Sequence, residues 1–336
     1  MFEVLPESAH EKKKKEKWIY FPINLVIDFS IFIGSNLPSW LRSFFVSAAS
    51  VMANGLLRPI VRVVDANLAV AFPEKSERER RELRKQNIRY MIEFGLDYMV
   101  LLRHPEQLKK RVIIPELPDA ICAKDQPSMW CLPHLGNFEV LLYMLSFLDK
   151  KIAAVAAASK NAHFNKIMMG SRTRFGLKIL PVAGAGVACI RTLKNAFTVG
   201  MLIDQNISPK HAGVFAPFFG LPATTSVMPA TLARKMNVPF YTGACIRNAE
   251  GKFELLLKPL PKKLSEYGSD YEITVAILKA NEDMIRQYPE QYIWMYQRWK
   301  YLPGNAPEWL AKKYPYYSSH DKYECDEKLF LKNERS

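Results

Sequence analysis

The stretch MWCLPHLGNFEVLLYMLSFL, residues 129–148, decides the fold. MWCLP is a short apolar run closed by a proline, the size of a buried strand. HLGN holds a glycine that lets the backbone turn tightly and, in Asn137, a good N-cap. FEVLLYMLSFL is apolar and of helix length. Strand, tight turn and helix in that order open a βα unit, so the chain reads as α/β.

The same grammar continues toward the carboxyl end. IAAVAAAS, KILPVA, TVGMLID and VPFYTGACIRN are short apolar runs bounded by Gly, Pro, Asn or Asp, most of them separated by amphipathic helix-length segments. That alternation predicts a mostly parallel central sheet flanked by helices. Residues 271–288 form a late amphipathic helix. Toward the amino end, residues 51–115 have helical periodicity. FPEKSERER breaks it: Pro73 stops one helix, and Ser76 with Glu79 makes a capping box for the next. After Pro303 the chain turns polar and tyrosine-rich, an expected poorly ordered end.

At 336 residues and 49% hydrophobic, the chain is neither disordered nor an ordinary multi-span membrane protein. A net charge of +14 calls for an anionic partner. Neither zinc-finger spacing nor an RNP-like motif points to nucleic acid. The five cysteines are scattered, without a CxxC pair, and suit reduced core positions rather than a disulfide framework or a zinc site. Lys12 to Lys15 and Lys17 lead into WIYFPINLVIDFSIFIGSN, whose apolar run is interrupted by Pro22 and Asp28. That makes a poor spanning helix. Aromatic and aliphatic residues beside lysines fit a helix lying in, or barely crossing, an anionic membrane surface.

His134 falls just past the carboxyl end of its strand, where α/β sheets place ligands. Glu139 follows five residues later. On one helix that spacing is about 500°, which puts the two on different faces, so they meet only across a turn. In the first turn of the helix Glu139 is favoured as an anion and is expected to fold back on the imidazole. A carboxylate on one ring nitrogen fixes the tautomer and leaves the other nitrogen to accept a proton. With no serine or cysteine nucleophile beside it, such a dyad activates a hydroxyl of the substrate.

HxxxxE alone is a weak pattern, since acids occupy about a tenth of positions. Three other segments add to it. LIDQNISPKHAGVFAPFFGLPATTS places Asp204 and Gln205 at a strand end, and its Gly213, Gly220 and ATTS are expected to let the backbone approach a ligand. NKIMMGSRTRFGLKILP sets Arg172 and Arg174 at a helix end. PEQYIWMYQRWKYLP sets Arg298 and Lys300 among aromatics, as snorkelling cations or a phosphate contact.

HLGNFE, NAHFNKIMMGSRTRFG, DQN followed by GVFAPFFGLPATTS, and PEQYIWMYQRWK together resemble the bacterial lipid A biosynthesis acyltransferase family. This is the late, or secondary, group within the glycerolipid acyltransferases that share HxxxxD/E. NLAVAFPEKSERER resembles its amino-terminal region, so the likeness runs from about residue 18 to 303. Phe138 where the family commonly has tryptophan, Ala162 after Asn161, and Tyr296–Gln297 in the end motif are departures. They bear on the acceptor more than on the dyad.

The resemblance implies a glycerolipid acyltransferase-like fold. A basic tail would occupy 1–17, a membrane-associated helical region 18–50, the catalytic domain 51–304 and a polar tail 305–336. It implies transfer of a fatty acyl chain from acyl carrier protein, or acyl-CoA, to a hydroxyl of a Kdo-lipid IVA-type acceptor, with no cofactor and no metal. His134 is the implied base and Glu139 its orienting partner, and Arg172 and Asp204 are implied to shape the active site; with Asn137, Gln205 and Arg298, read from the residues themselves, they make up the expected substrate-binding set. The implied partners are the carrier protein, a phosphorylated glycolipid and an anionic membrane, at the cytoplasmic face of the bacterial inner membrane. The alternatives are a same-fold enzyme acting on another glycolipid, such as a phosphatidylinositol mannoside, or on an aminolipid, and a non-catalytic anionic-lipid-binding protein.

Overall fold

The computed structural model describes residues 9–117, 119–148, 150–320 and 323–331. Residues 1–8 of the basic tail lie outside them. Four long helices come first: α1 (Ala9–Asn36), α2 (Ser39–Leu56), α3 (Arg58–Ala71) and α4 (Glu77–Arg103). The capping box opens α4 as the sequence predicts. Glu79 N donates to Ser76 Oγ at 3.3 Å, and Ser76 N donates to Glu79 Oε2 at 2.7 Å.

Two polar residues within the apolar part of α1, Asn24 and Asp28, have partners. Asp28 Oδ1 lies 2.8 Å from His163 Nε2, and Asn24 Oδ1 accepts from Asn161 Nδ2 at 3.1 Å. Asn24 and Asp28 are one helical turn apart, so both face the start of α8 (Ala162–Arg174). Phe21, Val26 and Phe29 on α1 and Trp40, Phe44 and Val51 on α2 are left exposed. Among the described residues no single helix is long and apolar enough to cross a membrane; α2 and α3 reach that length only as a pair bent by 88°.

Past the short helices α5 (Pro105–Lys109) and α6 (Asp119–Cys122) and the strand β1 (Val112–Ile113) comes the α/β body. Its strands are β2 (Ser128–Leu132), β3 (Ile152–Val155), β4 (Lys178–Leu180), β5 (Thr198–Leu202), β8 (Phe240–Arg247) and β9 (Phe253–Lys258). With β1 they form a seven-stranded sheet in the order β1-β9-β8-β2-β5-β3-β4. The run β8-β2-β5-β3-β4 is parallel, and β9 pairs antiparallel with β8. The helices α7 (Phe138–Leu145), α8 (Ala162–Arg174), α9 (Ala185–Lys194), α10 (Met228–Met236) and α11 (Asp270–Gln287) supply the crossovers and cover.

Every residue of β2 is buried. Met129 and Cys131 join one core cluster, Trp130 and Leu132 the other. Alternate side chains therefore fill opposite faces, which is why this strand reads as an unbroken apolar run. Cys131, Cys189 and Cys245 are buried free thiols.

The segment expected to approach a ligand is a hairpin. Its strands β6 (Gly213–Phe218) and β7 (Leu221–Ser226) pair antiparallel around Phe219 and Gly220, both at positive φ. Gly213 is needed because a Cβ there would strike the Ile207 carbonyl, not a ligand. Toward the end, β10 (Tyr301–Pro303) pairs parallel with β11 (Ser318–His320); a short helix, α12 (Glu308–Ala311), lies between them in the chain, and another, α13 (Lys328–Leu331), follows β11. The segment read as a polar tail thus lays Leu310, Tyr314 and Phe330 into the core. Tyrosines supply apolar area that a polarity count misses.

Candidate active site

His134 stands two residues past β2, and Asp204 two residues past β5. Leu132 pairs in register with Leu202 across those strands. The same offset carries His134 beside Asp204. His134 N donates to Asp204 Oδ2 at 2.8 Å, and the ring Nδ1 lies 2.6 Å from Oδ1. Asp204 is 1% exposed. Burial alone would raise its pKa; the His134 charge and the two His134 hydrogen bonds outweigh burial, and the carboxyl titrates below its ordinary value.

The other ring nitrogen, Nε2, lies 3.3 Å from Gln205 Nε2. An amide nitrogen only donates, so Nε2 accepts and Nδ1 carries the proton toward Asp204. Asp204 thus stands where Glu139 was expected.

The turn between strand and helix is fixed from both sides. Gly136 has φ +67, and a Cβ there would run into the Cys245 carbonyl. Gly136 N donates to Gln291 O at 3.0 Å, and Asn137 N to Cys245 O at 2.7 Å. Asn137 caps α7, its Oδ1 accepting from Val140 N at 3.1 Å, and is fully buried.

Glu139 occupies the first turn of α7, but its carboxylate turns away from His134. Arg172, in the last turn of α8, grips it with two nitrogens, Nε to Oε2 at 3.1 Å and Nη2 to Oε1. The physical reason lies in rotation and competition. Each residue turns about 100° around the helix, which aims Glu139 at α8, and Asp204 already holds the imidazole. Burial pulls the Arg172 pKa down, but the Glu139 hydrogen bond and charge outweigh it and hold the guanidinium charged. Its third nitrogen, Nη1, is buried without a partner.

Glu139 and Arg172 line an apolar slot whose walls include Leu132, Phe138, Leu142, Ala154, Gly200 and Leu202. The slot lies at the carboxyl ends of β2, β3 and β5. Phe138 links it to the histidine, its ring edge-on to the imidazole with centroids 5.0 Å apart. The slot was not legible in the sequence, because its walls come from three strands and a helix.

Arg298, expected as a snorkelling or phosphate-contacting cation, is 1% exposed and packs inside. Nη1 donates to Asn206 Oδ1 at 2.9 Å and to Thr224 O at 2.6 Å. The structure therefore brings His134, Asp204 and Gln205 into one group and Glu139 with Arg172 into a second. Phe138 stands between them. Asn206, which the sequence reading did not single out, and Tyr296, named there as a departure from the family's end motif, connect the first group to Arg298.

The sequence pattern of the bacterial lipid A biosynthesis acyltransferases matches residues 8–301. The chain belongs to this family. It is 23% identical over 325 residues to lipid A biosynthesis acyltransferase 2 of Shigella flexneri, covering 91% of this chain and 97% of that protein. It is 24% identical over 258 residues to the lipid A biosynthesis lauroyltransferase of Escherichia coli (strain K12), with 73% and 81% covered. The lipid A biosynthesis myristoyltransferase of the same organism is 24% identical over 244 residues, with 68% and 72% covered. As a lipid A acyltransferase, this protein moves acyl groups. Among the described residues no cluster of three or more His, Cys, Asp or Glu side chains is arranged to hold a metal ion.

Proposed function

We propose that this lipid A acyltransferase carries a fatty acyl chain from the thioester of acyl carrier protein, or of acyl-CoA, to a hydroxyl of a Kdo-lipid IVA-type acceptor, with His134 as general base. The observation that carries the reading is the state of the imidazole. Nδ1 is committed to Asp204, and Nε2, which Gln205 contacts at 3.3 Å, is the nitrogen left to take up a proton. That is a base set for one proton.

In the step, the acceptor oxygen attacks the thioester carbonyl carbon as Nε2 takes its proton. Asp204 stabilises the imidazolium that forms. The carbonyl oxygen gains charge and needs a donor; the unpartnered Arg172 Nη1 is the candidate on the slot side. Collapse breaks the carbon–sulfur bond, and the departing thiolate recovers the proton from Nε2. The apolar slot beside Glu139 and Arg172 takes the part of the acyl chain next to the reacting carbonyl. Glu139 acts through Arg172, holding it in place. No cofactor enters this scheme.

The exposed aromatic and aliphatic faces of α1 and α2 are of a kind that sinks into a lipid interface. They seat the enzyme on the cytoplasmic face of the inner membrane, where its acceptor resides. The formal charge of +14 suits an acidic carrier protein and a phosphorylated glycolipid.

The test is acyl transfer by the full chain in detergent, from carrier protein loaded with laurate or myristate to a Kdo-bearing lipid A precursor, read by mass spectrometry. A gain of one acyl chain that His134→Ala abolishes is the expected result. Wild-type transfer by His134→Ala would end the general-base reading, and no gain with any donor would redirect the search to another acceptor lipid.

A further inference from the structure

The segment after α11 buries an arginine that no substrate could reach. Arg298 is 1% exposed, and two of its nitrogens, Nε and Nη2, have no partner. Its guanidinium sits 5.1 Å from the centre of the Phe218 ring. A buried cation with unspent donors is costly unless a nearby anion offsets it. The carboxylate whose charge favours it is Asp204, without a direct ion pair between the two.

The bonds around it converge on the turn that carries Asp204. Arg298 Nη1 holds Asn206 Oδ1 at 2.9 Å, and the Tyr296 hydroxyl accepts from Asn206 N at 3.0 Å. Asn206 Nδ2 donates to Gln297 O at 2.9 Å. Three successive residues, 296–298, thus clamp a single asparagine two positions beyond the carboxylate that braces His134. The second Arg298 bond, to Thr224 O at 2.6 Å, fastens the clamp to β7.

We propose that Arg298 is a positioning residue: through Asn206 it holds the turn that carries Asp204 and keeps that carboxylate aimed at the His134 ring, with its charge on the same side as the imidazolium's partner. The proposal rests on His134 acting as the base. It departs from a phosphate or lipid contact, because the guanidinium has no open face. The charged and titratable groups facing Asp204 are His134 from the end of β2 and Arg298, Tyr292 and Tyr296 from the 290s segment. Both tyrosines are held above their ordinary pKa, first by burial, and Asp204 adds to the effect on each. Arg298 is therefore the one permanent cation in that set.

The experiment compares full-length Arg298→Met and Arg298→Lys with wild type, measuring kcat, KM for lauroyl carrier protein and for the Kdo-bearing acceptor, and the pH–rate profile. Arg298→Met should lower kcat by about 10- to 1,000-fold with both KM values nearly unchanged, because only the base is disturbed. Its acid limb should move to higher pH, since the His134–Asp204 pair, stripped of a neighbouring cation, takes up a proton sooner. Arg298→Lys should restore the acid limb while recovering only part of kcat, as charge returns without the planar fork. In an Asp204→Asn background, Arg298→Met should cost little further kcat.

A folded Arg298→Met whose acid limb stays at the wild-type pH overturns the proposal, as does a loss confined to KM. If Arg298→Met does not fold, Arg298→Lys decides: lower kcat with an unmoved acid limb supports the proposal, and an unchanged kcat or a shifted limb overturns it. Failure of the base reading is distinct from either, because it shows as activity surviving in His134→Ala.

Discussion

His134 and Asp204 are 70 residues apart in the chain and 2.6 Å apart in space, joined because β2 and β5 run parallel and in register. The bond is thus a product of sheet topology. In order of sequence β3 and β4 come between, yet β5 inserts between β2 and β3. The two strand ends then present a base and its carboxylate at one edge.

Asp204→Asn should leave the fold intact and cut kcat by about 10²- to 10⁴-fold. An amide in place of the carboxylate removes the charge that stabilises the imidazolium and can hold the wrong tautomer. Glu139→Gln should behave differently. It weakens the grip on Arg172 and so should alter donor KM as well as kcat. Steady-state kinetics on the two variants separate the roles; equal losses in kcat with unchanged donor KM would contradict the division.

The Asp204 carboxyl also couples folding to pH. Its folded pKa lies below the ordinary 3.8, the downward pull coming from His134 and Arg298 against the opposing effect of burial. A depressed carboxyl contributes stability that is fully present above its unfolded value and is lost as pH falls through the lower folded value. Urea unfolding of wild type and Asp204→Asn should therefore show a constant difference from pH 5 to 7, about the ordinary working range, that shrinks below about pH 4. A difference that grows on acidification would reverse the sign of the linkage.

Gly136→Ala should destabilise the protein by at least about 2 kcal/mol, since φ +67 strains any side chain and the new Cβ meets the Cys245 carbonyl rather than a yielding side chain. Thermal unfolding reads this directly. A change in Tm of only a degree or two would mean that the turn relaxes without disturbing β8.

What the sequence made legible was local. The turn at Gly136, the caps at Ser76 and Asn137, the late helix and the alternation of strands with helices all obey rules that act over a few residues. The partner of His134 did not, because choosing Asp204 over Glu139 requires knowing that β5 lies beside β2. Likewise LPATTS looked open to a ligand, yet backbone pairing with β6 makes it β7, with Thr224 and Thr225 buried. Arg298 looked like a surface cation because it lies in irregular chain with no periodicity to say which way it points. Asp28 looked like a flaw in an apolar helix; a histidine far along the chain accounts for it.

The apolar slot leads to a prediction about chain length. Gly200 sits within β5, and a Cβ there would come no closer than 3.8 Å to the Ala153 carbonyl, an ordinary contact. The backbone at Gly200 thus accepts a Cβ without displacing the sheet. Gly200→Val adds three carbons to a wall of the slot and should shift preference toward shorter acyl donors, with each excluded methylene worth about 0.8 kcal/mol of lost binding. Competition between laurate- and myristate-loaded carrier protein, read by the masses of the products, measures the shift. An unchanged product ratio from a folded, active Gly200→Val would show that the acyl chain lies elsewhere.

The exposed faces of α1 and α2 carry a different expectation. Trp40 is 73% and Phe44 70% exposed. Each aromatic side chain can bury roughly 150–250 Å² in a lipid interface, worth several kcal/mol at about 25 cal/mol per Å² before any loss to partial insertion. Replacing both with serine should lower cosedimentation with vesicles containing anionic lipid by at least about tenfold, leaving Tm nearly unchanged because neither side chain packs in the core. Raising salt should weaken binding further if the lysines near the start of α1 contribute, since their attraction is screened beyond about 10 Å. Undiminished vesicle binding by the double variant would place the membrane contact on another surface.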